Sequence, residues 1–245
     1  MRLTIGGYKF TVLTMNKTRN KILTCACDLY LRDGFEGFSM RKLARDVGVS
    51  APALYRHFEN REEVLLDVVG EAHDEMFRTL SRALSGRTSV ERFEMAAEAY
   101  MDFALGHPRY FRMIHSFADF MGMEEVPSQL LGRACAIRQF WYDRVRECVE
   151  IGILRSDDTE RIGLTLWAHA YGLLSLYSRQ LLVIPEEAFR EEFRASCRRL
   201  LLGLGTEGAG ELFSGAEETE LGAGGSLYEE HDQAAGTNQT TEPIR

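Results

Sequence analysis

The chain has 245 residues, 45% of them hydrophobic and 27% charged, enough to bury a core without help from disulfides or a structural metal. Its five cysteines, Cys25, Cys27, Cys135, Cys148 and Cys197, are odd in number and sit in apolar runs, which argues against a secreted disulfide scaffold. The formal charge of -8 is unevenly placed, with ten bases against four acids over residues 1–57 and nine acids against Arg245 alone over residues 205–245, so it does not exclude a nucleic-acid partner.

In chain order, residues 1–15 read as an N-terminal extension. Tyr8, Phe10, Val12 and Leu13 alternate weakly like a strand, no partner strand follows downstream, and Met15 offers an alternative start. Disorder, or a segment absent from the native protein, is expected there. From Lys17 the pattern becomes helical, with apolar residues three and four apart. A first helix is expected from Lys17 to Asp33, stopped by Gly34 as a left-handed cap. A second starts after Ser39 as N-cap and presents Met40, Leu43, Ala44 and Val47 before Gly48. Ser50 then caps a third, Ala51 to Phe58, with Pro52 tolerated in the first turn, where amides have no helical acceptor. Two short helices joined by a glycine turn make a helix-turn-helix. Asn60 and Glu63 form a capping pair for a long fourth helix through Leu80.

Further helices are expected from Ser89 to Leu105, Pro108 to Met121, Pro127 to Glu150, Thr159 to Gln180 and Glu186 to Leu204, their ends marked by glycine and proline. From Gly205 the chain is rich in Gly, Glu and Thr and poor in large apolar residues, so a disordered acidic tail is expected over 205–245. The expected organisation is all-α: a helix-turn-helix unit over 16–62, a helical bundle over 63–204, and the two flanking segments. No run approaches the roughly 20 apolar residues of a membrane span, and the opening residues are too polar for a signal peptide, so a soluble cytoplasmic protein without a membrane partner is expected.

A helix-turn-helix reads DNA when its second helix enters the major groove, which requires small or polar outward residues and phosphate-binding groups at the rim. Ser50, Ala51, Ala53, Tyr55, Arg56 and His57 are placed outward, with Leu54 and Phe58 inward. Ser39 and Ser50 put hydroxyls and free amides at helix N-termini, suited to phosphate oxygens, and Arg41 and Lys42 add charge beside them. Alanines allow close approach and thymine-methyl contact, leaving base hydrogen bonds to Arg41, Ser50 or Arg56. Tyr55 and His57 admit a second reading, as residues bracing the third helix against the first, and Arg56 as a solvated charge.

Gly34-Phe35, Ser39-Met40-Arg41-Lys42-Leu43-Ala44, Val47-Gly48-Val49-Ser50, Leu54-Tyr55-Arg56-His57-Phe58 and Arg61-Glu62-Glu63-Val64-Leu65 together resemble the N-terminal signature of tetracycline-repressor-type (TetR/AcrR) regulators. That pattern runs Gly-aromatic, Thr-x-Arg-x-Ile-Ala, Ala-Gly-Val-Ser, Leu-Tyr-x-His-Phe, Lys-Glu-x-Leu. Ser39, Leu43, Val47 and Arg61 replace its Thr, Ile, Ala and Lys with similar chemistry. The match covers about 50 contiguous residues at fixed spacing, far more specific than a short motif. The resemblance implies that Ser39, Tyr55, His57 and Arg61 hold phosphates, and that Arg41 and the stretch Ser50, Ala51, Pro52, Ala53 to Arg56 face bases. It also implies a homodimer on a palindromic double-stranded operator.

The Thr159 to Gln180 helix is apolar nearly all round, through Ile162, Leu164, Leu166, Trp167, Leu173, Leu174, Leu176 and Tyr177, so it must be covered on every side. Core covers one face. A second copy would cover the other, with Gly172 and Ser175 allowing close approach and the last helix completing a four-helix contact. His107-Pro108-Arg109-Tyr110-Phe111, with Trp167 and Gly172, is similar to the C-terminal domain of a Trp/His-Gly branch of the family, although Tyr171 stands where its histidine belongs and His169 lies two earlier. The resemblance implies an apolar ligand cavity among the middle helices. Candidates to line it are Tyr100, Phe103, His107, Phe111, His115, Phe117, Phe120, Arg138, Trp141, Tyr142, Trp167 and His169. Their aromatic bias points to a hydrophobic or aromatic small-molecule effector.

No His-Glu-x-x-His, Cys-x-x-Cys or Gly-x-Ser-x-Gly is present, so neither an enzyme, nor a metal site, nor a cofactor is expected. Gly203, Gly205 and Gly208 match a dinucleotide fingerprint in letters only, since no strand precedes them. The function expected is a DNA-binding transcriptional regulator, a repressor released by its ligand. The rival is a helical ligand-binding or scaffolding protein whose helix-turn-helix no longer reads DNA.

Overall fold

The computed structural model describes residues 2–5, 8–11, 17–121, 127–155, 158–207 and 209. Met15 and residues 210–245, nearly all of the expected tail, lie outside them. Among the described residues the architecture is all-α, apart from one N-terminal hairpin of β1 (Arg2–Ile5) and β2 (Tyr8–Thr11). The strand pairing is antiparallel, Arg2 opposite Thr11 and Ile5 opposite Tyr8. This corrects the expectation of an unpartnered strand, because the partner lies upstream. The two glycines between Ile5 and Tyr8 are the hairpin signal in the sequence, at the spacing of a two-residue loop.

The helices are α1 (Lys17–Gly37), α2 (Met40–Val47), α3 (Ala51–Tyr55), α4 (Arg61–Leu80), α5 (Ser89–Gly106), α6 (Pro108–Met121), α7 (Ser128–Glu150), α8 (Thr159–Ser178) and α9 (Glu186–Leu204), with a short 3-10 turn over Ser81–Ser85. Gly34 holds φ 69° and ψ -177°, a conformation closed to most side chains, and it kinks α1 where the sequence reading placed a stop. Helical turns resume past the kink to Gly37. The α3 helix is shorter than expected, ending at Tyr55, although the Phe58 amide still donates to the Leu54 carbonyl at 3.2 Å.

Three clusters of buried side chains hold the helices together. The first joins Ile22, Leu29 and Tyr30 of α1, Leu43 and Val47 of α2, Leu54 of α3 and Phe58 to Val64, Leu65, Val68 and Val69 of α4, and reaches Met113 of α6 and Leu130 of α7. The second gathers Met76, Phe77 and Leu80 of α4 with Tyr100, Phe103, Phe111, Phe140, Leu174, Phe189 and Phe193. The third closes the far end with Phe93, Val145, Ile162, Leu166 and Leu201. The α4 helix contributes its first half to one cluster and its second half to another, and so couples the N-terminal helices to the rest.

Ion pairs repeat this coupling. Arg19 meets Asp67 at 2.5 Å, and Arg109 of α6 pairs with Asp28 of α1. Arg194 grips Glu98 with two bonds of 2.7 and 2.8 Å, fixing α9 to α5. The packed chain continues past Leu204, where Gly205 bridges Leu154 and the Thr206 amide donates to the Ile153 carbonyl at 2.9 Å. Among the described residues no helix is long and apolar enough to cross a membrane, and no cluster of side chains could hold a metal ion.

Candidate nucleic-acid interface and ligand cavity

The α2–α3 pair is built from its caps. Ser39 Oγ accepts from the Lys42 amide at 3.2 Å, Ser50 Oγ accepts from the Ala53 amide at 3.3 Å, and Gly48 turns the chain at φ 79° with its amide on the Ala44 carbonyl. Each serine hydroxyl accepts from its own helix and keeps its proton available to an outside acceptor. Leu54 and Phe58 are buried, only 0% and 2% exposed, which locks the orientation of α3. The opposite face carries Pro52, Tyr55, Arg56 and His57, all exposed, with Ala51 and Ala53 half-buried between them. Tyr55 is 53% exposed, so more than half of it is open to solvent.

The charged candidates divide. Arg41 and Arg56 stand in solvent. Lys42 Nζ is engaged with Asp33 at 3.0 Å and the Gly37 carbonyl at 2.8 Å, closing the end of α1. Arg61 lies over the Phe35 ring at 4.0 Å and donates to the carbonyls of Phe35 and Phe38 at 3.3 and 3.5 Å. Both side chains hold the α1–α2 turn in place behind the exposed face.

A cavity of about 260 Å³ lies between α4, α5, α6, α7, α8 and α9. Tyr100, His115, Arg138, Trp141 and Trp167 line it, as expected from the sequence. Burial sets its electrostatics. His115 falls to about 4 because its ring is desolvated and His73 is near, and burial likewise lowers His73, whose Nδ1 sits 2.8 Å from the Val69 carbonyl. Both rings are neutral at neutral pH. Burial raises the Tyr100 phenol, which lies 3.4 Å from His115 Nε2, and lifts the Cys197 thiol to about 12, leaving it unreactive. The Trp141 indole N–H donates outward to the Gly163 carbonyl at 2.9 Å, so only its ring face is offered inward.

Residues 22–68 match the family of bacterial regulatory proteins of the tetR type, and residues 93–200 match a tetracyclin repressor-like C-terminal domain. The chain belongs to the TetR family. It is similar to the HTH-type transcriptional activator FasR of Mycolicibacterium smegmatis, 28% identical over 51% of this chain and 57% of that protein. It is also similar to the class A tetracycline repressor protein from transposon 1721 of Escherichia coli, 37% identical over 38% of each chain. The chain thus spans under two thirds of the length of either relative. Among solved structures, the ketosteroid transcriptional regulator KstR2 of Mycobacterium tuberculosis shares the fold, with a TM-score of 0.65 at 19% identity over 79% of this chain and 98% of that one. The tetR-type match over residues 22–68 takes in α2, α3 and most of α1, with the first turns of α4.

Three of the expected ligand residues lie outside this cavity. Phe103 is wholly buried in the second cluster, with its ring 5.6 Å from His107. Phe111 packs against Tyr100 and Tyr171 and faces a separate cleft shared with Tyr30 and Arg112. His169 is turned to α9, where its Nε2 sits 3.0 Å from Ser196 Oγ. None of the three lines the cavity. His107 lies in a surface cleft 3.8 Å from Glu75, and Tyr142 presses against Gly163. The side chains of Phe117 and Phe120 fall outside the described ones. Sequence reasoning missed His73, Met76 and Leu80, which bring α4 into the cavity wall. Their spacing of three and four was legible, but it read as a linking helix's core face.

Proposed function

We propose that this TetR-family chain acts as a homodimeric transcriptional repressor that reads an inverted repeat through α3 and leaves it when a small organic ligand fills the cavity. The observation carrying the DNA reading is the exposed face of Tyr55, Arg56 and His57 over the buried Leu54–Phe58 base. Ser39, Tyr55 and His57 are assigned to phosphates, and Arg41 with Ser50, Ala51, Pro52, Ala53 and Arg56 to base edges. Lys42 and Arg61 are assigned to bracing. The unit over 16–62 is the reader and the bundle over 63–204 the receptor.

Support for a dimer comes from exposed apolar residues on α8, α9 and their connection. Leu164, Leu176 and Leu202 are exposed, and Leu181 and Val183 reach 62% and 84%. A two-fold contact between such faces buries this surface on both copies. Two readers related by that axis fit half-sites about 34–36 Å apart.

The α4 helix supplies the link between ligand and DNA. His73, Met76 and Leu80 line the cavity while Val64, Leu65 and Val68 are embedded in the reader's core. A ligand that displaces the second half of α4 tilts the first half and changes the spacing of the readers. A preference of a few kcal/mol for the wrong spacing is enough to empty the operator.

Selection from a random duplex library with the full-length protein tests the reading. Enrichment of an inverted repeat with half-site centres one helical turn apart, or a multiple of it, is the expected result. A protein that enriches no sequence would be the scaffolding or ligand-binding module instead.

A further inference from the structure

The cavity has one sign of charge. Among the described residues its wall contains no aspartate or glutamate, and of these residues only Arg138 carries a formal charge at neutral pH. His73 and His115 are kept neutral by burial. The rest of the wall is aliphatic or aromatic apart from Tyr100, the indoles and the buried thiol.

Arg138 also differs from its neighbours on α7. Arg133 pairs with Asp74 at 3.0 Å, Arg144 with Glu147 at 2.5 Å and Arg146 with Asp143 at 3.0 Å. Among the described residues no carboxylate lies within 4.0 Å of Arg138, and its nearest recorded partner is the weak acceptor Cys135 Sγ at 3.8 Å. The side chain is exposed at the cavity's edge, so its guanidinium keeps its hydration until something enters. A planar fork of N–H donors beside an apolar chamber matches one chemistry above others, a carboxylate on an apolar body.

We infer that the effector is an amphipathic monocarboxylate, its apolar body inside the cavity and its carboxylate on Arg138 at the edge. This rests on the reading of the cavity as the effector site, and adds the class of molecule and the residue that selects it. A cationic ligand has no counter-charge among the described residues of this wall, and a neutral one leaves Arg138 unused.

The chain has two tryptophans, Trp141 and Trp167, and both line the cavity, so intrinsic fluorescence reports its occupancy directly. Full-length protein is titrated with decanoate and with decan-1-ol, which share a chain and differ in the head. The expected result is a tryptophan response to both, with decanoate bound about tenfold more tightly, and loss of that preference in Arg138→Gln while the response to decanol persists. Equal affinities in the natural protein, or a carboxylate preference that survives Arg138→Gln, would overturn the assignment of the head group and leave the cavity reading standing. A protein whose tryptophans respond to neither probe would overturn the cavity reading, and the inference with it.

Discussion

Arg56 and Arg61 flank the same loop and have opposite surroundings. Arg61 is stacked on Phe35 and bonded to two carbonyls, whereas Arg56 reaches into solvent. Replacing Arg61 by alanine removes charge-assisted bonds and a ring contact, and is expected to lower stability by about 1–2 kcal/mol. Arg56→Ala should stay within about 0.5 kcal/mol of the natural protein. Urea unfolding of the two variants checks the contrast. His115 is the other residue with a distinct signature. Its folded pKa of about 4 lies below its ordinary 6.5, so as pH falls the unfolded chain takes up the proton first. Its contribution is therefore complete above pH 6.5 and is lost as pH falls toward 4. Between pH 7.5 and 5 this amounts to about 2 kcal/mol, and His115→Phe should lose that much less over the same range. Equal pH slopes would place the ring in water.

At the scale of elements, α7 and α8 approach each other across Gly163. A β-carbon there would lie 2.5 Å from Tyr142 Cδ1, and the Gly163 carbonyl already holds the Trp141 indole. Gly163→Ala is expected to push the two helices apart and cost roughly 1–3 kcal/mol, read as a lower thermal midpoint. A variant as stable as the natural protein would show that the Tyr142 ring swings aside freely. Elements of this kind were legible in the sequence to different depths. Ser39, Ser50 and Asn60 announce helix starts because a cap is a local bond, and all three cap as expected. Gly34 was legible as a left-handed residue, but whether the chain resumes helical turns after it depends on Phe38 packing into the core. The cavity was half legible. Helical spacing groups Tyr100, Phe103, Phe111 and His115 without saying which way each helix is rotated, and it is that rotation which sends Phe103 and Phe111 into the core and brings His73 inward.

Over the whole molecule, the basic excess and a group of exposed leucines fall on different elements, and α4 packs against both the N-terminal helices and the cavity. The basic excess lies in residues 1–57, the exposed leucines on α8 and α9, and α4 runs from the reader's core to the cavity wall. Under the proposed function, DNA affinity depends on phosphates, on the exposed face of α3 and on what fills the cavity. The central claim is that α3 reads DNA. It is tested most directly by titrating the protein, and Arg56→Ala beside it, against the duplex upstream of its own gene and a scrambled competitor at roughly 50 and 200 mM salt. Tight binding that beats the competitor and falls steeply with salt is expected, with Arg56→Ala losing about 1–3 kcal/mol of sequence preference while keeping its fold. Binding that is weak, equal to the competitor and indifferent to Arg56 would contradict it.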